Sequence, residues 1–175
     1  MDLLDKAICF GRAGHAALGQ KRKYTGEDYF HHPEEVANIV AELSGSTVEM
    51  VAAALCHDLV EDTGITLEFI ERELGGSVAT LVEMLTDISK PENGNRAARK
   101  EIDRQHTARA SVQAKTIKLA DLISNSKSIC EHDKDFARVY IKEKELLLEV
   151  LTEGDPILYA RAVEIVKKAK KELGL

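Results

Sequence analysis

The chain has 175 residues, with 44% hydrophobic and only 5% aromatic side chains, no Trp, three Pro and eleven Gly. That is enough chain for one sizeable core, and an Ala-rich aliphatic core with few breakers favours long, closely packed helices. The net charge of −6 argues against a general nucleic-acid surface but leaves room for a local basic pocket.

Cys9, Cys56 and Cys130 are an odd number, far apart and without a CxxC pair, which fits a reducing compartment and no disulfide framework. Met1 to Lys6 carries acids where a signal peptide would be basic. No apolar run approaches the ~20 residues that span a bilayer. The expectation is a cytoplasmic protein that binds neither membrane nor nucleic acid.

In chain order, Leu3 to Leu18 reads as an amphipathic helix, with Leu4, Ala7, Ile8 and Gly11 on one stripe. Residues 19–32 are polar and Gly-containing and read as a loop. Pro33 suits a helix's first turn and Glu34-Glu35 its positive end, and that helix runs to about Leu43. Ser46 or Thr47 then caps an apolar helix that continues into His57-Asp58-Leu59-Val60-Glu61-Asp62. Thr66 opens a short helix closed by Gly75-Gly76, and Val78 to Ile88 is helical by its spacing. Pro91 to Asn95 is a turn. Arg96 to Gln105 reads as either a solvated helix or a flap. Ser111 to Ile129 is apolar-periodic, and two helices, about Asp135–Leu151 and Pro156–Leu173, close the chain. No segment alternates with period two for long, so the expectation is all-α: a single compact domain over 1–175, built of about eight to ten helices. The last two helices either complete the core or face a second copy, so a homo-oligomer stays open.

Chemistry concentrates at residues 57–62. In one continuous helix, His57 and Glu61 share a face, as do Asp58 and Asp62. Like charges at that spacing cost stability unless a cation neutralises them, and a metal beside spare carboxylates points to hydrolysis. The alternative is a solvated helix end before Thr63-Gly64. Further ligands would come from elsewhere: His32 lies at a loop–helix junction, and Asp121 sits in an apolar context where a lone carboxylate is costly. Two imidazoles and two carboxylates suit Mn²⁺, Fe²⁺ or Zn²⁺ better than Ca²⁺. His31 reads as a cap or pocket residue, His15 as a packing or hydrogen-bonding histidine, and Cys56 as core. Arg22, Lys23 and some of Arg96, Arg99, Lys100 and Arg104 offer cations to a phosphate. Lys118, one turn before Asp121, reads as its charge partner or as a surface lysine.

His32-Pro33, then His57-Asp58 with Glu61-Asp62, then Lys118-Leu119-Ala120-Asp121 followed by Asn125, resembles the HD-domain phosphohydrolase superfamily. Within it, the likeness is to the hydrolase domain of the RelA/SpoT homologues, especially the small alarmone hydrolases. Ala13 to Tyr29 resembles that family's opening helix and basic loop, and the resemblance covers about residues 1–130. It implies an HD-type helical bundle and Mn²⁺-dependent hydrolysis of the 3′-pyrophosphate of guanosine tetra- and pentaphosphate, releasing pyrophosphate with GDP or GTP. By motif position, His32, His57, Asp58 and Asp121 would bind the metal. Glu61 and Asp62 would position and deprotonate the attacking water. Arg22 and Lys23 would reach the nucleotide, Asn125 would contact base or ribose, and Tyr29 would shape the pocket. Lys127 stands where the family has Arg, which removes a bidentate contact and puts the substrate in question. Two other readings follow: the same chemistry on another nucleotide, such as the 2′-phosphate of NADPH, and a metal- or nucleotide-binding module without turnover.

Overall fold

The computed structural model describes all 175 residues as ten α-helices and one 3-10 turn, without strands; one isolated antiparallel bridge joins Lys21 and Asp28. The all-α expectation holds. The helices group into two compact units, Met1–Thr86 and Asp87–Leu175.

The first unit begins with α1 (Leu3–Ala17), capped by the Asp2 carboxylate accepting from Asp5 N at 2.9 Å. Its buried residues Ala7, Gly11 and His15 repeat every four positions and so form one stripe. Helix α2 (His31–Ala41) starts two residues before Pro33, so His31 and His32 lie in its first turn; His32 is buried and His31 exposed. Helix α3 (Val48–Cys56) is capped by Thr47, and Ala52 to Cys56 are all buried. It packs against α1 and α2. The approach to α1 depends on Gly11, where a Cβ would stand 2.8 Å from the Leu55 carbonyl oxygen and 2.5 Å from the Phe30 ring. Helix α4 (Leu59–Asp62) has only four residues, too short to persist alone. Leu59, fully buried, docks it onto α1 at Gly14, where a Cβ would meet Leu59 Cδ2 at 2.8 Å. Helices α5 (Leu67–Leu74) and α6 (Gly76–Leu85) follow, separated by Gly75 at φ +94°, a value that side-chain-bearing residues rarely adopt.

One expectation needs correction. Residues 47–62 do not form a continuous helix: α3 ends at Cys56, and α4 restarts at Leu59, with Asp58 at φ −93°, ψ −4°. His57, the C-cap of α3, and Glu61, on α4, therefore do not lie on one continuous helix.

In the second unit, the 3-10 turn (Pro91–Asn93) precedes α7 (Arg96–Ala108), capped by Asn95. The 96–105 stretch is thus helical, and of α7 only Asp103 and Thr107 are buried. Helix α8 (Val112–His132) is buried on nearly all sides from Ala114 to Ser124, as a central helix must be. Helices α9 (Lys134–Leu148) and α10 (Pro156–Leu173) pack on it and on each other. No helix of the chain is long and apolar enough to cross a membrane.

Candidate metal centre

Three donor side chains of the first unit converge. Nε2 of His57 lies 3.2 Å from Asp58 Oδ1, and Nε2 of His32 lies 3.7 Å from Asp58 Oδ2. The three ligand atoms all fall within 4.8 Å of one another. The imidazoles meet edge to face at 5.3 Å between centroids, and both are 2% exposed, so their nitrogens are removed from water.

The local fold explains this convergence. His32 projects from the first turn of α2, and His57 and Asp58 occupy the break between α3 and α4. His57 Nδ1 donates to the Ala54 carbonyl oxygen at 2.8 Å, which fixes the tautomer and turns the Nε2 lone pair toward Asp58. The Tyr29 hydroxyl donates to Asp58 Oδ2 at 2.8 Å and holds that carboxylate.

The residues fit a divalent cation. A metal–nitrogen or metal–oxygen bond of about 2.1 Å puts neighbouring donors about 3 to 3.5 Å apart, close to the spacing seen. The set is nitrogen and oxygen only. Cys56, the neighbouring thiol, points away and lies 3.9 Å from the Ala7 carbonyl oxygen; burial pushes it up to about 12 and keeps it protonated.

Glu61 and Asp62 are exposed on α4, the latter accepting from Gln20 Nε2 at 2.9 Å. Arg22 lies over the Tyr29 ring at 5.9 Å, and exposed Lys23 over the Tyr24 ring at 4.7 Å. Both cations sit on the loop that also carries Tyr29. His15 is buried, with Nδ1 2.7 Å from Gln20 Oε1 and its ring 4.7 Å from Tyr29. Sequence reasoning passed over Gln20, because an isolated Gln in a polar loop carries no signal before its partners are known.

The second unit holds the remaining candidates. Asp121 is buried on α8, accepts from Asn125 Nδ2 at 2.7 Å and lies 3.9 Å from Lys118 Nζ. Lys118 is therefore a charge partner of Asp121 rather than a surface lysine. Lys127 is exposed. Three of the four α7 cations suggested for phosphate contact have carboxylate partners: Arg96 makes a two-pronged pair with Glu143, Lys100 binds Asp87 at 2.6 Å, and Arg104 binds Glu101 and Glu149. They border a cavity of about 450 Å³ lined from α7 and α9. Burial alone would raise the Asp87 carboxyl, but the ammonium groups of Lys118, Lys100 and Lys144 bring it below the usual range. Burial, then repulsion from Lys118 and Lys100, pulls the Lys144 ammonium from 10.5 down to about 8, against the attraction of Asp121 and Asp87.

The HD domain family matches over residues 7–147. A probable guanosine-3′,5′-bis(diphosphate) 3′-pyrophosphohydrolase of Synechocystis is 43% identical over 88 residues, 50% of this chain. The chain spans only 11% of that protein and 13% of a probable GTP pyrophosphokinase of Mycobacterium leprae. The pyrophosphohydrolase MESH1 of Xenopus tropicalis is 34% identical over 130 residues, 71% of each chain. Among solved structures, a metazoan ortholog of SpoT superposes with a TM-score of 0.85 over 96% of both chains at 24% identity, a likeness of fold.

Proposed function

Since the chain belongs to the HD domain family, we propose that it is a cytoplasmic, Mn²⁺-dependent phosphohydrolase that releases pyrophosphate from the 3′ position of guanosine tetra- and pentaphosphate. The observation that carries the reading is the His32–His57–Asp58 cluster, its two imidazoles buried, the His57 tautomer set by the Ala54 carbonyl and the half-buried carboxylate held by Tyr29. The Xenopus relative, matched over 71% of its length and named for this 3′-pyrophosphohydrolysis, supports the substrate.

A divalent cation at this cluster supplies charge against the phosphoryl oxygens and makes water a better nucleophile near neutral pH. His32, His57 and Asp58 hold it, and the motif position of Asp121 assigns that carboxylate to it as well. Glu61 and Asp62, exposed on α4, orient the attacking water and take its proton. Arg22 and Lys23 meet the phosphates; a guanidinium beside the Tyr29 ring also suits the base of a nucleotide. Asn125 and Lys127 complete the nucleotide contacts on the strength of the motif, with Tyr29 walling the pocket.

The test is pyrophosphate release from guanosine tetraphosphate by Mn²⁺-loaded protein, beside phosphate release from NADPH. Glu61-dependent release of pyrophosphate is the expected result. Release from NADPH alone moves the substrate, and stoichiometric nucleotide binding without turnover makes the protein a binding module. His57→Ala and Asp58→Ala are expected to abolish Mn²⁺ binding in calorimetry, and Asp121→Ala to weaken it at least about tenfold.

A further inference from the structure

We infer that Gln20 is a positioning residue for Asp62, held in place by the buried His15; the inference rests on reading Asp62 as a carboxylate that handles the attacking water. The Gln20 amide is engaged at both ends. Its Oε1 faces His15 Nδ1 at 2.7 Å, and its Nε2 donates to Asp62 Oδ2 at 2.9 Å. Its backbone is also pinned, the amide donating to the His15 carbonyl at 3.1 Å and the carbonyl accepting from Tyr29 N at 3.3 Å. A residue tied at two side-chain and two backbone points has little freedom left, so the Asp62 oxygen it binds inherits a direction.

The chemistry of the tie matters. Asp62 is exposed on a four-residue helix, where an unassisted carboxylate turns freely among its rotamers. A lysine or arginine in the place of Gln20 would fix the carboxylate but cancel its charge and weaken it as a base. A neutral amide fixes the direction and leaves the charge. Three cations stand next in the chain, Lys21, Arg22 and Lys23, yet the contact to Asp62 comes from the neutral residue before them.

His15 gives the tie its rigidity. Because Gln20 Oε1 accepts, His15 Nδ1 carries the proton. Its Nε2 is buried without a hydrogen bond, a cost that phenylalanine or leucine at this position would avoid. What the imidazole offers in return is the Nδ1 donor and a ring face against Tyr29, whose hydroxyl holds Asp58. One buried side chain thus sets both arms of the site: Tyr29 to Asp58, and Gln20 to Asp62.

The test combines kinetics with a readout that needs no turnover. Gln20→Met keeps length and bulk but removes the donor. It is expected to lower kcat about tenfold while leaving KM and Mn²⁺ affinity within about twofold, as for lost orientation of a reacting group. In an Asp62→Ala background, Gln20→Met should cost nothing further. In nuclear magnetic resonance spectra of the metal-free protein, the Gln20 side-chain amide should stand apart from the other glutamines and return to the free-amide position in Asp62→Ala and in His15→Phe. A Gln20 amide that ignores Asp62→Ala overturns the inference whatever the substrate, as does a loss expressed in KM or one that persists without Asp62. If the wild-type protein turns over no nucleotide, the catalytic reading of Asp62 fails and the positioning role falls with it; the amide signal then shows whether the tie itself forms.

Discussion

Asp58 serves two imidazoles and a phenol at once, with Oδ1 toward His57 and Oδ2 shared between His32 and Tyr29. Removing the phenol while keeping the ring tests how much of the site's order comes from that hydrogen bond. Tyr29→Phe is expected to lower Mn²⁺ affinity about 10-fold or more without loss of fold, measured by calorimetry beside circular dichroism. At this scale the sequence was informative wherever residue type carries chemistry: adjacent His and Asp after an apolar run, and a second His before Pro33, converge as their types suggested. It was silent on Gln20, whose meaning comes from Asp62, 42 residues further on. It also left the role of Arg96 open, because its carboxylate partner Glu143 lies 47 positions away. A cation in a sequence looks available until its partner is located.

The helices themselves were legible in some detail, because caps and breakers act locally. Thr47, Thr66 and Ser111 each accept from a backbone N–H three residues on, at the ends expected. The break between α3 and α4 was not legible, since neither Gly nor Pro marks it. It is held instead by the tertiary contact of Leu59 beneath α1, with Thr63 Oγ1 donating locally to the Leu59 carbonyl at 2.6 Å. Gly11 fixes the distance between α1 and α3, and with it the base on which the His57 segment rests. Gly11→Ala gains helix propensity but meets backbone oxygen, which cannot move aside. A net loss of about 1–3 kcal/mol is expected in urea unfolding.

For the molecule as a whole, a cluster of charge placed within the second unit ties stability to pH. The folded protein releases the Lys144 proton at about 8, whereas the unfolded chain holds it to about 10.5. Across that window the unfolded state binds more protons, so the contribution of Lys144 to stability rises with pH. Unfolding free energy of wild type minus that of Lys144→Met should therefore climb between pH 8 and 10.5 and stay level below pH 7; a difference curve without slope there refutes the assignment. The direction of Cys56 has a consequence of another kind. A thiol next in sequence to two candidate metal donors would ordinarily invite cadmium or mercury and hand the site a residue that peroxide can oxidise. Turned into the core beside Ala7 and kept protonated, Cys56 offers neither. Thiophilic reagents reaching the cluster meet only nitrogen and oxygen donors, and the thiol they are expected to modify first is the exposed Cys9.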